Sequence, residues 1–264
     1  MFWLTKFGTK DIPLCNAVQD VGAGPIYTTV TQLPGGYHFD AQGNEQSPIK
    51  TPYPLKAEAV LHSNSPWELD DMLQQWRALQ GTKATLYRRR DRKNLDEYVT
   101  ARLTEVSARR DIRDRLRLDL SLSFDIFTPV WHGLAHTETI TMDASPKTQE
   151  IPNNGDSVQR YITITVNATV NPITAIKIEN LEAGHVSSFT WTDSIAAGQA
   201  LVITNRPRAV LNNGVNAYAY FALDAGHTIN DWFRLMPGNN TVRVTMTGGS
   251  ATSTVVFTYN DALA

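Results

Sequence analysis

The sequence predicts a mainly β protein of two domains, the first of which carries one helix. Three observations lead there. In DRLRLDLSLSFDIF, residues 114–127, Leu116, Leu118, Leu120, Leu122, Phe124 and Ile126 alternate with Arg117, Asp119, Ser121, Ser123 and Asp125. That two-residue period belongs to a strand with one buried and one wet face. From residue 160 onward the chain is a series of short β-rich runs, RYITITVNA, ITAIKIENL, SFTWTDSI, ALVITN, NAYAYFAL, NTVRVTMTG and STVVFTY, separated by Asn, Gly, Asp and Pro. This spacing is that of a β-sandwich or jelly roll. Finally, composition shifts along the chain. Basic residues crowd between Arg77 and Arg117, whereas beyond Pro146 charges thin out and Thr, Asn, Val and Ile take over. The turn-rich stretch between, residues 143–160, predicts a seam between domains at 1–145 and 150–264.

A chain of 264 residues holds one large domain or two ordinary ones. The net charge of −2 names no partner. A single cysteine, Cys15, excludes an intrachain disulfide framework and reads as a small buried or surface thiol. The N-terminal MFWLTKFGTKDIPL lacks the apolar core and cleavage site of a signal peptide. No apolar run approaches the roughly 18 residues that span a bilayer. A soluble protein folded in a reducing cytosol, with no membrane partner, is the expectation.

In chain order, YHFDAQGNEQ predicts a turn or hairpin around Gly43 and Asn44, and Pro48, Pro52 and Pro54 predict an extended or edge path. SPWELDDMLQQWRALQG predicts a helix over about 65–80. Ser65 is placed to cap it, Pro66 suits its first position, and Glu68 completes a Ser-x-x-Glu box. Leu69, Met72, Leu73, Trp76 and Leu79 share one face, and Gly81 stands where a left-handed cap is expected. KATLYRR predicts the following strand. Far downstream, DWFRLMPGNNTVRVTMTGG turns at Pro237-Gly238 into a strand in which Val242 and Val244 alternate with Thr241, Arg243 and Thr245.

The residues offer little chemistry. Of six histidines, only those in HGLAH (His132, His136) have metal-like spacing, but Pro129 and Gly133 oppose the helix such a pair needs, and no Glu follows His132. LPGGYHF lacks the Lys and Ser/Thr of a phosphate loop, and no Gly-x-Ser-x-Gly elbow occurs. Asp70 and Asp71 read as solvated charges in the first turns of the helix. No catalytic residue, metal ligand or cofactor is predicted, and the chain is not expected to be an enzyme.

Two groups of residues are candidates for contact. Between Arg77 and Arg117 stand thirteen Lys and Arg against six Asp and Glu. Asp91 lies among Arg88, Arg89, Arg90 and Arg92, and Asp111 and Asp114 lie among Arg109, Arg110, Arg113 and Arg115. Arginine pairs carboxylates bidentately, so this interleaving suits ion pairs across a subunit boundary better than a phosphate footprint. No tight nucleic-acid binding is expected. The second group is aromatic: Trp191, Tyr218, Tyr220 and Trp232 are possible platforms for a sugar, although their alternation favours a place in a sandwich core.

The order of parts resembles a known family. A short N-terminal strand leads to TQLPGGYHFDAQGNEQSPIKTPYPLKAEAVL, then WELDDMLQQWRALQG, the basic TLYRRRDR, and LRLDLSLSFDIFTPVWHG. The second half carries NNGDSVQRYITITV, IAAGQALVITN, NNGVNAYAYF and FRLMPGNNTVRV. Over nearly its whole length the chain resembles the distal tail proteins (Dit) of long-tailed bacteriophages and related tail hub proteins. The resemblance implies an N-terminal β-sandwich or split-barrel-like domain with one helix that forms a hexameric ring, and a galectin-like β-sandwich outside it. It implies a ring that joins the tail tube protein to tip, fibre or receptor-binding proteins, lets DNA pass, and catalyses nothing. The place implied is the tail tip of the virion, after assembly in the host bacterial cytoplasm. The Trp-Gly-x-Glu and His-x-Asn-x-Arg motifs of sugar-binding galectins are absent. On this reading Tyr218, Tyr220 and Trp232 would meet a tip protein or a glycan, residues 1–145 would self-assemble, and residues from 150 onward would stay monomeric. The alternatives are a carbohydrate-binding module for host-surface recognition and, more remotely, a hydrolase.

Overall fold

The computed structural model describes residues 2–13, 15–20, 53–90, 96–110, 114–127, 130–182, 187–205, 208–223 and 233–263. The expected hairpin around Gly43 and the extended arm at Pro48 and Pro52 lie outside them. The chain divides into two compact units, residues 1–132 and 133–263.

The first unit contains β1 (Phe2–Phe7), β2 (Lys10–Asp11), β3 (Cys15–Asp20), β4 (Tyr53–His62), α1 (Pro66–Ala78), β5 (Lys83–Arg90), β6 (Glu97–Arg110), β7 (Arg117–Ile126) and the start of β8 (Trp131–Thr141). Seven strands form one antiparallel sheet in the order β2-β1-β5-β6-β7-β4-β3. Phe7 on β1 lies 5.3 Å, ring to ring, from Phe124 on β7 although two strands separate them along the sheet. The sheet therefore folds over, and its inner faces share a core that includes Leu4, Phe7, Leu86, Leu103 and Phe124.

β7 shows the predicted alternation throughout its ten residues. Leu116 does not join it. It sits in the turn before the strand, its N–H held by the Asp114 carboxylate at 2.9 Å, and it is exposed. An Asx-type turn decides the conformation there before the pleat can begin. The helix forms where predicted and buries Leu69, Leu73 and Trp76. Its start differs in detail. The Ser65 hydroxyl accepts from the Trp67 N–H at 3.3 Å, while the Glu68 carboxylate takes the Ser63 hydroxyl instead of closing a box on Ser65. Gly81 has the left-handed φ of +83° that its position asked for.

The second unit holds the rest of β8, then β9 (Lys147–Asn153), β10 (Thr163–Asn167), β11 (Ile173–Asn180), β12 (Ser187–Trp191), β13 (Ala200–Thr204), β14 (Ala209–Asn212), β15 (Val215–Asn216), a 3₁₀ turn (Tyr218–Tyr220), β16 (Phe221–Leu223), β17 (Gly238–Gly248) and β18 (Thr254–Leu263). One sheet runs β15-β14-β13-β10-β18-β8 and the other β16-β12-β11-β17-β9. Ile164, Val166, Ile203 and Phe257 of the first meet Ile176, Ile178, Trp191, Val242 and Val244 of the second in one core, which makes a β-sandwich. NAYAYFAL departs from the predicted strand: Asn216 ends β15, paired with β14, residues 218–220 form the 3₁₀ turn, and 221–223 pair with β12. The division also falls earlier than the expected 145–150. Residues 143–146 only link β8 to β9, and β9 pairs with β17, so the turn-rich stretch lies inside the second unit.

Candidate interaction surfaces

In the first unit the basic stretch separates by strand alternation. Leu86 and Arg88 share the inward face of β5. Arg88 is buried, donates from Nε to Glu97 Oε2 at 2.6 Å, and places its guanidinium 4.2 Å from the centre of the Trp131 ring. It is thus an internal charge and not a surface one. Arg89 faces outward and pairs with Asp96 at 3.0 Å. Arg90 belongs to β5. Asp91 and Arg92, like Asp111 and Arg113, lie outside the described residues. On β6, Arg109 and Arg110 are both exposed and point to opposite faces. Arg110 is in register with the buried Leu118 and bonds to Asp70 on α1, whereas Arg109 is in register with Asp119. Asp114 spends its carboxylate on the Leu116 turn. Asp119 pairs with Arg117 at 2.9 Å. Around Arg109 and Arg117, with Glu58, Val60, Ser107 and Ser121, lies an open trough of about 430 Å³.

In the second unit, the aromatic candidates split. Trp191 is fully buried and donates its indole N–H to the Asp193 carbonyl at 2.9 Å, so it is core. Tyr220 meets the Trp191 ring edge-on at 5.6 Å and Tyr218 meets Phe221 at 6.1 Å, yet both tyrosines are exposed, 47% and 39%. The 3₁₀ turn rotates them out of the alternation that predicted core. Trp232 lies outside the described residues.

HGLAH lies in β8, an extended segment, where Gly133 sits in close approach: a Cβ there would come within 2.9 Å of Leu263 Cδ1 and 3.1 Å of Asp261 Cβ. Burial holds the His132 imidazole below its ordinary pKa. His136 bonds through Nε2 to Asp261 at 2.9 Å and stacks on Tyr259 at 5.2 Å. Burial, then the charges of Glu138 and Asp261, push the Tyr259 phenol up, so it stays protonated and donates to the Pro152 carbonyl. Every member of this group has a structural partner. Among the described residues, no three His, Cys, Asp or Glu side chains stand together in a metal-binding arrangement.

A feature the sequence reading missed is a set of buried amides. Asn240 Nδ2 donates to the carbonyls of Met236 (2.9 Å) and Gly238 (3.0 Å), and its Oδ1 accepts the Met236 N–H at 2.7 Å. Asn180 donates to Asn240 Oδ1 at 2.9 Å and to the Arg234 carbonyl at 2.8 Å. Asn205 bridges the Arg160 and Phe233 carbonyls, both at 2.8 Å. Asn153 Nδ2 donates to the Ser157 carbonyl at 2.8 Å, and its Oδ1 accepts from Gly155 and Ala262. These amides stand in for ladder bonds where the chain leaves its strands. Their signal was present as asparagines inside NNGDSVQR, ITN and PGNN, which read as turn formers only, and at the end of the ITAIKIENL strand.

Residues 154–261 match the siphovirus-type tail component family, C-terminal domain. The match lies within the second unit and covers most of it. The resemblance to phage distal tail proteins read from the sequence is borne out. The fold of the whole chain is similar to the crystal structure of the Dit protein of phage SPP1, described as a paradigm of the hub adsorption apparatus in phages infecting Gram-positive bacteria. The TM-score is 0.62 at 16% identity, over 98% of this chain and 98% of that one. Two structures of the phage p2 baseplate in its activated conformation also align at 10% identity. The strontium form has a TM-score of 0.36 over 86% of this chain and 88% of that one, and the calcium form 0.37 over 98% and 90%. Among curated proteins none matches the chain. The match thus begins at Asn154, directly after β9, and contains β10 through most of β18. The amide set and the tyrosine turn both fall largely within it.

Proposed function

We propose that the chain is a structural hub of a long-tailed phage tail tip. Six copies form a ring through their first units, the galectin-like tail-component domains lie outside, and the ring joins the tail tube protein to tip or fibre proteins while DNA passes through its centre. The single observation that carries this reading is the tail-component match of residues 154–261, in a chain whose two-unit fold parallels the SPP1 hub protein from end to end. The role is mechanical and not catalytic. The proposed subunit contacts use Arg89, Arg109, Arg110 and Asp114 with Arg90, Asp91, Arg92, Asp111 and Arg113. Because Arg88, Arg89, Arg110 and Arg117 already hold carboxylates within the unit, little net positive field is left for a duplex. Negative-stain electron microscopy of the purified chain tests the reading: rings with an open centre are expected, and compact single copies at all concentrations would refute it. Anisotropy with labelled duplex DNA at physiological salt should show no submicromolar binding.

One observation favours a second use of the outer domain. Tyr218 and Tyr220 are both exposed on the 3₁₀ turn, and exposed aromatic rings suit a sugar platform. A glycan array read with the wild type and with Tyr220→Ala tests it: signal lost in the variant supports glycan contact, and a blank array leaves these rings to a tip protein.

A further inference from the structure

The chain holds two Asn-Gly dipeptides, Asn154-Gly155 and Asn213-Gly214, and the fold treats them in opposite ways. We propose that Asn213, at the tip of the β14–β15 hairpin, is a site of spontaneous deamidation to aspartate and isoaspartate, whereas Asn154 is protected.

The chemistry is intramolecular and needs only water. The Gly214 main-chain nitrogen attacks Cγ of Asn213, and the new N–Cγ bond closes a five-membered succinimide. The Cγ–NH2 bond breaks, and the group leaves as ammonia with the proton that the Gly214 nitrogen gives up. Water then opens the ring. Attack at Cγ yields aspartate, and attack at the main-chain carbonyl carbon yields isoaspartate. Glycine favours the first step because it has no side chain in the way and its backbone turns freely.

At Asn213 the fold leaves this path open. Asn212 pairs with Val215 and Leu211 with Asn216, so a two-residue turn joins the strands. Asn213 and Gly214 have φ of +48° and +80°, the type I′ signature. Both are exposed, and a side chain added at Gly214 would meet nothing within 4 Å. Among the described residues, nothing bonds to the Gly214 N–H. Attack requires that nitrogen to swing onto Cγ, so the turn must first open. The opening is small. Strand β15 has two residues, both exposed, at the edge of its sheet. It lies between two anchors, the Asn213 N–H on the Ala200 carbonyl and the Ala217 N–H on the Val210 carbonyl, each at 2.9 Å. Only residues 214–216 need to lift, and short exposed segments of this kind open at the lowest free energies in a fold.

At Asn154 the path is closed. Its own N–H is held by the Asp261 carboxylate at 2.9 Å, and the Gly155 N–H by Asn153 Oδ1 at 3.2 Å. The Gly155 backbone packs directly on β18, where an added Cβ would collide with the Ala262 carbonyl. A swing of the Gly155 nitrogen would have to part the chain from β18. The outcome at Asn213 is a new negative charge on a chain of net charge −2, on the hairpin that runs into the exposed Tyr218 and Tyr220. Isoaspartate also lengthens the main chain, so the two-residue turn no longer matches its strands.

The test is peptide mapping by mass spectrometry of the full chain, aged in mildly alkaline buffer both folded and in urea. In the folded chain Asn213 should show the mass change from NH2 to OH at least about tenfold faster than Asn154. Electron-transfer fragmentation should find isoaspartate as well as aspartate at position 213. In urea, where no fold protects either dipeptide, the two should convert at similar rates. An Asn213 that stays intact in the folded chain while it converts in urea would overturn the assignment. So would an Asn154 that keeps pace with it in the folded chain.

Discussion

Arg88 stands in the most basic stretch of the chain, yet its guanidinium is enclosed between Glu97 and the Trp131 ring. The sequence did contain the signal: Leu86 and Arg88 are two residues apart in a strand, and so share a face. Reading the arginines as one block hid it. Removing one partner of a buried ion pair strands the other charge, so Glu97→Gln is expected to destabilise the first unit by about 3–5 kcal/mol. The double change Arg88→Met with Glu97→Leu should recover most of that loss, measured as urea midpoints. A Glu97→Gln midpoint equal to the wild type would contradict the pairing. Asn240 makes the parallel case in the second unit. Its amide satisfies backbone groups at 2.7–3.0 Å in a fully buried site. Asn240→Ala is therefore expected to cost roughly 2–3 kcal/mol, whereas the exposed Asn239→Ala should change little.

At the scale of elements, β7 and β17 were the most legible, because each has one buried face and a strict two-residue period enforces it. The 3₁₀ turn at Tyr218–Tyr220 was not, since its aromatic residues also alternate and only the turn geometry exposes them. The β11–β17 pair illustrates what a strand pattern leaves out. Glu179 stands directly across from Arg243, which bonds to it at 2.8 Å, and Lys177 reaches it at 3.0 Å. Arg243 first, and then Lys177, hold the Glu179 carboxyl below its ordinary value of 4.5 against the opposing effect of burial. A carboxyl with a depressed folded pKa adds stability that is fully present above the unfolded value and is lost as pH falls through the folded one. The stability advantage of the wild type over Glu179→Gln should therefore be constant near neutrality and shrink as pH drops below about 4.5. Guanidinium midpoints between pH 7 and pH 3 would show this, and a pH-independent gap would exclude it.

For the whole molecule, composition and turn spacing were enough to expect two β-rich units, but not to place the division. Charge thins near Pro146, whereas strand pairing carries the second unit back to Gly133, because β8 is needed beside β18. Asn260 donates to the Gly133 carbonyl at 3.1 Å and Asp261 holds His136. A fragment that starts at residue 150 loses these bonds and uncovers the edge of β18. It should melt less cooperatively and at lower temperature than one starting at Gly133. Equal melts for the two fragments would show that β8 adds nothing to the second unit. The interaction surfaces were less legible than the fold, since exposure and register, not residue type, separate Arg109 from Arg88. The amide set has a bearing on how such a domain can evolve. Asn153, Asn180, Asn205 and Asn240 grip mostly main-chain atoms, which every residue type supplies. Side chains at the gripped positions are therefore free to drift, and a few fixed amides with an apolar core can preserve the sandwich through very wide divergence of everything else.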